Sequence, residues 1–380
     1  MKLVLAAALA AVASLQDDTD PRSPGMHLAI AFRPYSCMTC VEEKRLEPEA
    51  AESVGEITIL RQTALEVAKA VGVEKDFVAI RSPNFVILSA LEKAKVKLSD
   101  SRFIAADLGR LKEIFPTLAI EAQSVVLNPH QRAHLFHIRA ERIYAHFAAL
   151  TGNTKRYLGM ASPYEIYLFD DYATHHKLVD KYIGKSMDKM AVTHHQRERP
   201  NFLAVSAYEA RTPAGDWAFS NHVIHSIAHN LADGCNNYSK ETWAWLEEGL
   251  AHWYERRENP NHNTFCWTEG RAPTMFDKPN WRSAILGLVR RGKDRNLAEW
   301  CEKLQPGELT EEEQGLTWSL ADFLIATEPV RLARMIDRLE ENYQETISCA
   351  QCVEDGFGVS PSVLHQRWRE WVLKEYVKKN

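Results

Sequence analysis

The sequence predicts an α+β chain: strands and helices are mixed through the first part, and helices alone follow. Three observations carry this. Phe77 to Ser89 (FVAIRSPNFVILS) alternates and is rich in Val, Ile and Phe. Two more β-rich runs, Tyr164 to Phe169 and Asn201 to Tyr208, are separated from it by segments of helical periodicity. Beyond Pro279 the apolar spacing is helical throughout.

Taken in order, Met1-Lys2, the apolar run Leu3 to Val12 and the small-x-small pattern Ala11-Val12-Ala13 have the layout of a secretory signal over 1–13. This predicts an exported protein, periplasmic or extracellular. A polar, Pro-containing lead-in occupies 14–26, and 27–76 is an N-terminal segment with a Cys-x-x-Cys and an amphipathic stretch around Leu65 to Val71. The run 77–89 reads as a strand or as a hairpin broken at Pro83. Helices are expected over Ile104 to Phe115 and Pro129 to Leu150, strands at 164–169 and 201–208, and a connection beyond a short helix at Asp180 to Ile183. Helical spacing returns at 221–232 and again at 240–257, entered through Ser239 with Glu241 and Glu247 toward its N-terminal half. After a loop-rich stretch to Pro279, helices are expected at 282–291, 297–304, 310–325, 330–344 and 361–377. The domain boundaries that follow are 77–258 for the mixed domain and 259–380 for a helical C-terminal subdomain.

Of 380 residues, 45% are hydrophobic and 26% charged, which is ordinary globular composition. A net charge of -5 with no basic block gives no electrostatic footprint for nucleic acid. No later stretch reaches the ~20 apolar residues of a membrane span. The seven cysteines include two Cys-x-x-Cys pairs, Cys37/Cys40 and Cys349/Cys352. Export favours structural disulfides; a four-thiolate zinc site and redox chemistry are the other readings.

The segment with the most chemistry runs from 225 to 255. His225 and His229 stand four apart and so share one helix face, from which both can aim a ring nitrogen at one ion. Such a pair is weak alone, since His130 and His134 make another among 15 histidines. Specificity comes from the eighteen residues that lead from His229 to Glu248, within Trp-Leu-Glu-Glu-Gly-Leu-Ala-His. His130, His134 and His137 share a helix face with Arg132, Arg139 and Arg142 nearby, and read as a packed or partly solvated helix. The doublets His175-His176 and His194-His195 point their members apart and suggest no site.

These residues resemble the gluzincin, or peptidase-MA-like, zinc metallopeptidases, in which a His-Glu-x-x-His helix gives two metal ligands and a Glu-Gly-x-Ala helix the third. The likeness lies mainly in 220–256. It implies a zincin-like domain, with a small mixed sheet and two site helices, followed by a helical subdomain. By resemblance His225, His229 and Glu248 are the Zn2+ ligands, with Glu247 as rival third ligand or a solvated position. A peptide or protein is the implied substrate or ligand.

The chain departs from the pattern at Ser226, where the family has its general base. A hydroxyl cannot take the proton, so catalysis worth roughly 100- to 10,000-fold would be missing while metal binding stays intact. His222, within about 60° of the same face, is a substitute base, an alternative ligand, an orienting residue, or an ordinary histidine packed or solvated at the helix start. His252, four after Glu248, either donates to it or is incidental. Tyr238, Tyr254 and Tyr343 are candidates for oxyanion stabilisation. Three functions stay open: a zinc-binding homologue with lost or weakened hydrolysis, an active zinc metallopeptidase using a base such as His222, and a metal-free binding or scaffolding protein.

Overall fold

A computed structural model describes residues 36–37, 39–40, 63–73, 77–182, 193–195, 202–206, 216–235, 242–265, 276, 279–303, 306–341 and 347–377. The expected signal and lead-in, and the apolar run at 28–32, lie outside them. The chain forms two compact units, one of residues 1–145 and 160–223, the other of 146–159 and 224–380.

The first unit is built on a six-stranded sheet of β1 (Ser36–Cys37), β2 (Val78–Arg81), β3 (Phe85–Ala90), β6 (Tyr164–Phe169), β8 (Phe202–Ser206) and β7 (Thr193–His195), in that spatial order. Strands β2 and β3 form the antiparallel hairpin that turns at Pro83, and β3, β6 and β8 run parallel. Parallel strands need long crossovers, which are supplied by helices. The crossover from β3 to β6 carries α2 (Ile104–Ile114), a small antiparallel pair of β4 (Ala94–Lys97) with β5 (Ser124–Leu127), and α3 (Pro129–Thr151). The next crossover carries α4 (Tyr172–Tyr182).

Alternation along β3 assigns its two faces. Val86 and Leu88 pack with Tyr167 and Phe169 of β6 against α4 and against α1 (Ala64–Val71). Helix α1 is the amphipathic stretch expected near 65–71. It opens with a Thr63/Glu66 capping box and stops at Gly72, whose φ of 84° lies in the left-handed region that glycine alone adopts without strain. Phe85, on the other face, meets Tyr144 of α3 edge to face. A second cluster joins α2, β4, β5 and α3 through Leu108, Leu111, Val125, Leu127 and Leu135, with Trp217 of α5 (Asp216–Cys235). Both sheet faces are thereby covered, which explains the near-continuous apolar run of β3.

From Ile224 onward α5 belongs to the second unit, together with α6 (Ala244–Glu258), α7 (Trp281–Arg290), α8 (Leu297–Trp300), α9 (Glu311–Thr327), α10 (Pro329–Glu341), α11 (Cys349–Phe357) and α12 (Pro361–Glu375). Helix α6 lies close against α9 at Gly249, where a Cβ would stand 2.7 Å from the Thr317 carbonyl oxygen. The glycine is thus required by close backbone approach. The Thr310/Glu313 capping box starts α9.

The mixed, largely helical composition agrees with the α+β expectation. Several boundaries differ from it. Helix α5 starts at Asp216, earlier than 221, with the Asp216 carboxylate in its first turn. Helix α6 starts at Ala244 with Trp243 as N-cap and no side-chain cap; Ser239 and Glu241 lie outside the described residues. Asp180 closes α4 in place of forming a connection, and α8 ends at Trp300. The second Cys-x-x-Cys lies on α11, where Cys349 forms a disulfide with Cys301 and not with Cys352, three residues along the same helix. That bond also removes Cys349 from any four-thiolate site. Among the described residues no helix is long and apolar enough to cross a membrane.

Candidate metal centre

Helices α5 and α6 bring their site residues together within the second unit. His225 Nε2 and His229 Nε2 are 2.9 Å apart, and they lie 3.6 Å from Glu248 Oε2 and Oε1 respectively. With zinc-to-ligand bonds of ~2.0–2.2 Å, donor atoms of a tetrahedral site stand roughly 3.3–3.5 Å apart; the two 3.6 Å separations lie close to that, and the 2.9 Å one means that the two rings would open by about half an ångström around an ion held by all three. The i, i+4 spacing on α5 aligns the two rings, and Glu248 of α6 precedes Gly249, the residue that meets α9.

Two further carboxylates hold the rings from behind. Glu247 Oε1 lies 2.7 Å from His229 Nδ1, and Glu255 Oε2 lies 3.4 Å from His225 Nδ1. The Glu247 hydrogen bond turns His229 to present Nε2, and Glu255 stands on the Nδ1 side of His225. Glu247 is therefore placed as the partner that orients His229, and it is buried, not solvated. His252 is no incidental residue: its Nδ1 is 2.6 Å from Glu255 Oε1 and its Nε2 is 3.5 Å from Glu248 Oε2. His225, His252 and Glu255 also form a possible ligand group. In that group the 2.6 Å contact between His252 Nδ1 and Glu255 Oε1 is a direct hydrogen bond, and His225 is common to both groups.

Burial dominates the electrostatics of the centre. Burial pushes His225 down to about 3 and lowers His229 as well, so both are neutral imidazoles, the form that ligates. Burial alone would raise Glu255, but the His225 and His252 imidazoles outweigh it and hold its carboxyl below the usual range. Glu247, Glu248 and Glu255 are all buried within this small volume. A divalent ion held here would offset the charge of these carboxylates.

Ser226 is buried next to His225 on α5. His222 lies one turn earlier, half-buried and in the first unit, and is not among the converging donors within the described residues. Tyr254 is directed elsewhere: its hydroxyl is 2.8 Å from His146 Nδ1 in a buried pair, and burial raises its pKa well above that of a free tyrosine. Tyr238 and Tyr343 lie outside the described residues.

A second group converges in the first unit. Cys37, Cys40, His130 and His134 have potential ligand atoms all within 4.8 Å of one another. The packed-helix reading of His130 and His134 is accordingly incomplete, because the two rings meet a Cys-x-x-Cys from a distant part of the chain. The residues missed by motif reading were therefore Glu255 and this pairing of segments; only the matching Cys-x-x-Cys and His-x-x-x-His spacings hinted at the latter. No family model, curated protein or solved structure matches this chain.

Proposed function

We propose that the chain is an exported, zinc-binding homologue of the gluzincin metallopeptidases, with a zincin-like arrangement of its site helices, that engages a peptide or protein and has lost or weakened peptide hydrolysis. The observation that supports it best is the convergence of His225, His229 and Glu248, with each imidazole backed by its own carboxylate. Zinc in such a site would polarise a carbonyl and acidify a bound water.

The chain's own contribution is to orient and to exclude a base. His225 and His229 stay neutral, Glu248 supplies negative charge, Glu247 orients His229, and Glu255 stands on the Nδ1 side of His225. Proton transfer needs a group that accepts a proton near neutral pH, and the Ser226 hydroxyl cannot. Glu255 is already engaged by two imidazoles and the Thr264 backbone N–H, so it acts as a support and not as a free base.

The test is metal analysis of the full chain combined with a peptide-library assay. The expected result is one zinc equivalent lost in His225→Ala/His229→Ala, no cleavage by the wild type, and a gain of about 100-fold or more over background in Ser226→Glu. Zinc-dependent cleavage by the wild type that disappears in His222→Ala would overturn the loss of hydrolysis. Retention of all bound metal in His225→Ala/His229→Ala would overturn the site.

A further inference from the structure

We propose that Cys37, Cys40, His130 and His134 form a second, structural zinc site in the first unit, independent of the centre on α5 and α6. Cys40 Sγ lies 3.2 Å from His130 Nε2 and 3.3 Å from His134 Nε2, and Cys37 Sγ lies 3.3 Å from His130 Nε2. These separations fall within a few tenths of the roughly 3.5 Å that Zn–S bonds of ~2.3 Å and Zn–N bonds of ~2.0–2.1 Å impose across a tetrahedron. Two thiols and two imidazoles are a closed ligand set with no position left for a substrate, so the role is structural.

Local structure supplies the geometry. Cys37 lies on β1, which pairs Ser36 to Arg81 and Cys37 to Ile80 of β2 among the described residues, and Cys40 follows in a helical turn. His130 and His134 occupy successive turns of α3, and Phe115 packs edge-on against both rings. Among the described residues, Val78, Ile80 and Ala133 cluster with Cys37 and Cys40, and Ile114 packs against them. An ion held here would join the Cys-x-x-Cys segment to α3 across about 90 residues of chain, a long loop whose closure is worth most when it is fixed.

A catalytic dithiol fits less well. Redox-active cysteines are partly exposed so that a partner thiol can reach a sulfur, whereas Cys37 and Cys40 are both 0% exposed and are not joined by a disulfide. Simple packing fits less well too, because the ring nitrogens, and not ring edges alone, are turned to sulfur.

The experiment is cobalt substitution of the full-length protein with metal counting. Thiolate ligation produces a sulfur-to-cobalt charge-transfer band that a centre of two imidazoles and a carboxylate cannot give. We expect that band in the wild type, its loss with one metal equivalent in Cys37→Ser/Cys40→Ser, and its persistence in His225→Ala/His229→Ala. Should the serine variant fail to fold, His134→Cys decides: a third thiolate retains the metal and intensifies the band. Absence of the band from cobalt-loaded wild type, its survival in the serine variant, an unchanged band in His134→Cys, or a Cys37–Cys40 disulfide in the metal-loaded protein would each overturn the proposal.

Discussion

His229 presents two opposite edges to its surroundings: Nδ1 lies 2.7 Å from Glu247, while Nε2 faces His225 at 2.9 Å and Glu248 at 3.6 Å. Two adjacent glutamates on α6 thus have different duties toward one ring. Replacing Glu248 by Ala should abolish binding at this centre. Glu247→Gln should keep full occupancy at saturation but weaken affinity about 10- to 100-fold, as lost orientation of a ligand histidine does. Competition against a chromophoric chelator measures both, and the reverse ranking would make Glu247 the ligand.

Gly249 couples the site to its scaffold. A methyl group there would stand 2.7 Å from Thr317 O and 3.2 Å from Thr317 C, both backbone atoms of α9 that cannot swing aside. Gly249→Ala should cost about 1–3 kcal/mol through overpacking and lower the melting temperature by several degrees. Because Glu248 is the preceding residue, metal affinity should fall with it. An unchanged melting temperature would show that α6 and α9 are not so closely apposed.

In the first unit, Asp107 is the shared acceptor of two buried arginines. Arg142 reaches it at 3.0 Å and Arg139 at 3.4 Å, while Arg139 also donates to Ser220 and lies 4.8 Å over Trp217. Asp107→Asn leaves two buried guanidiniums without their common charge, a loss of about 3–5 kcal/mol. Urea denaturation would show it as a lower midpoint, and a shift below about 1 kcal/mol would place the compensating charge elsewhere.

Asp294 offers a pH-dependent test. Burial alone would raise its carboxyl, but hydrogen bonds from His365 and Arg369 outweigh that and hold it below the ordinary carboxylate value. A depressed folded pKa contributes stability above the unfolded value near ~3.9 and loses it as pH falls through the folded value. Asp294→Asn should therefore melt lower than the wild type at neutral pH, and the gap should close on acidification below the usual carboxylate range. A gap that stays constant with pH would exclude the carboxylate as its source.

How much of this was legible beforehand varies with the range of the interaction. The β2–β3 hairpin, α2, α3 and β6 follow from local periodicity, and the hairpin break follows from Pro83. Strands β4 and β5 escaped because each is short and their partners are separated by α2; Val126 is exposed, which breaks the apolar signal. Helix α11 was hidden because its Cys-x-x-Cys drew the reading toward disulfide or metal chemistry, when in fact its first cysteine pairs with Cys301. At the candidate centre, spacing suggested His225, His229 and Glu248. It could not show that Glu255 lies behind His225, since that depends on how two helices approach each other.

The division of the chain also has a consequence for its synthesis. Residues 146–159 belong to the second unit, where His146 meets Tyr254, yet all of 160–223 must leave the ribosome before the rest of that unit follows. At roughly 5–20 residues per second this is a delay of several seconds. Over that interval His146 and Phe147 are made without the partners they pack on, Trp253 and Tyr254, so the end of α3 is completed only by residues that follow about 100 positions later.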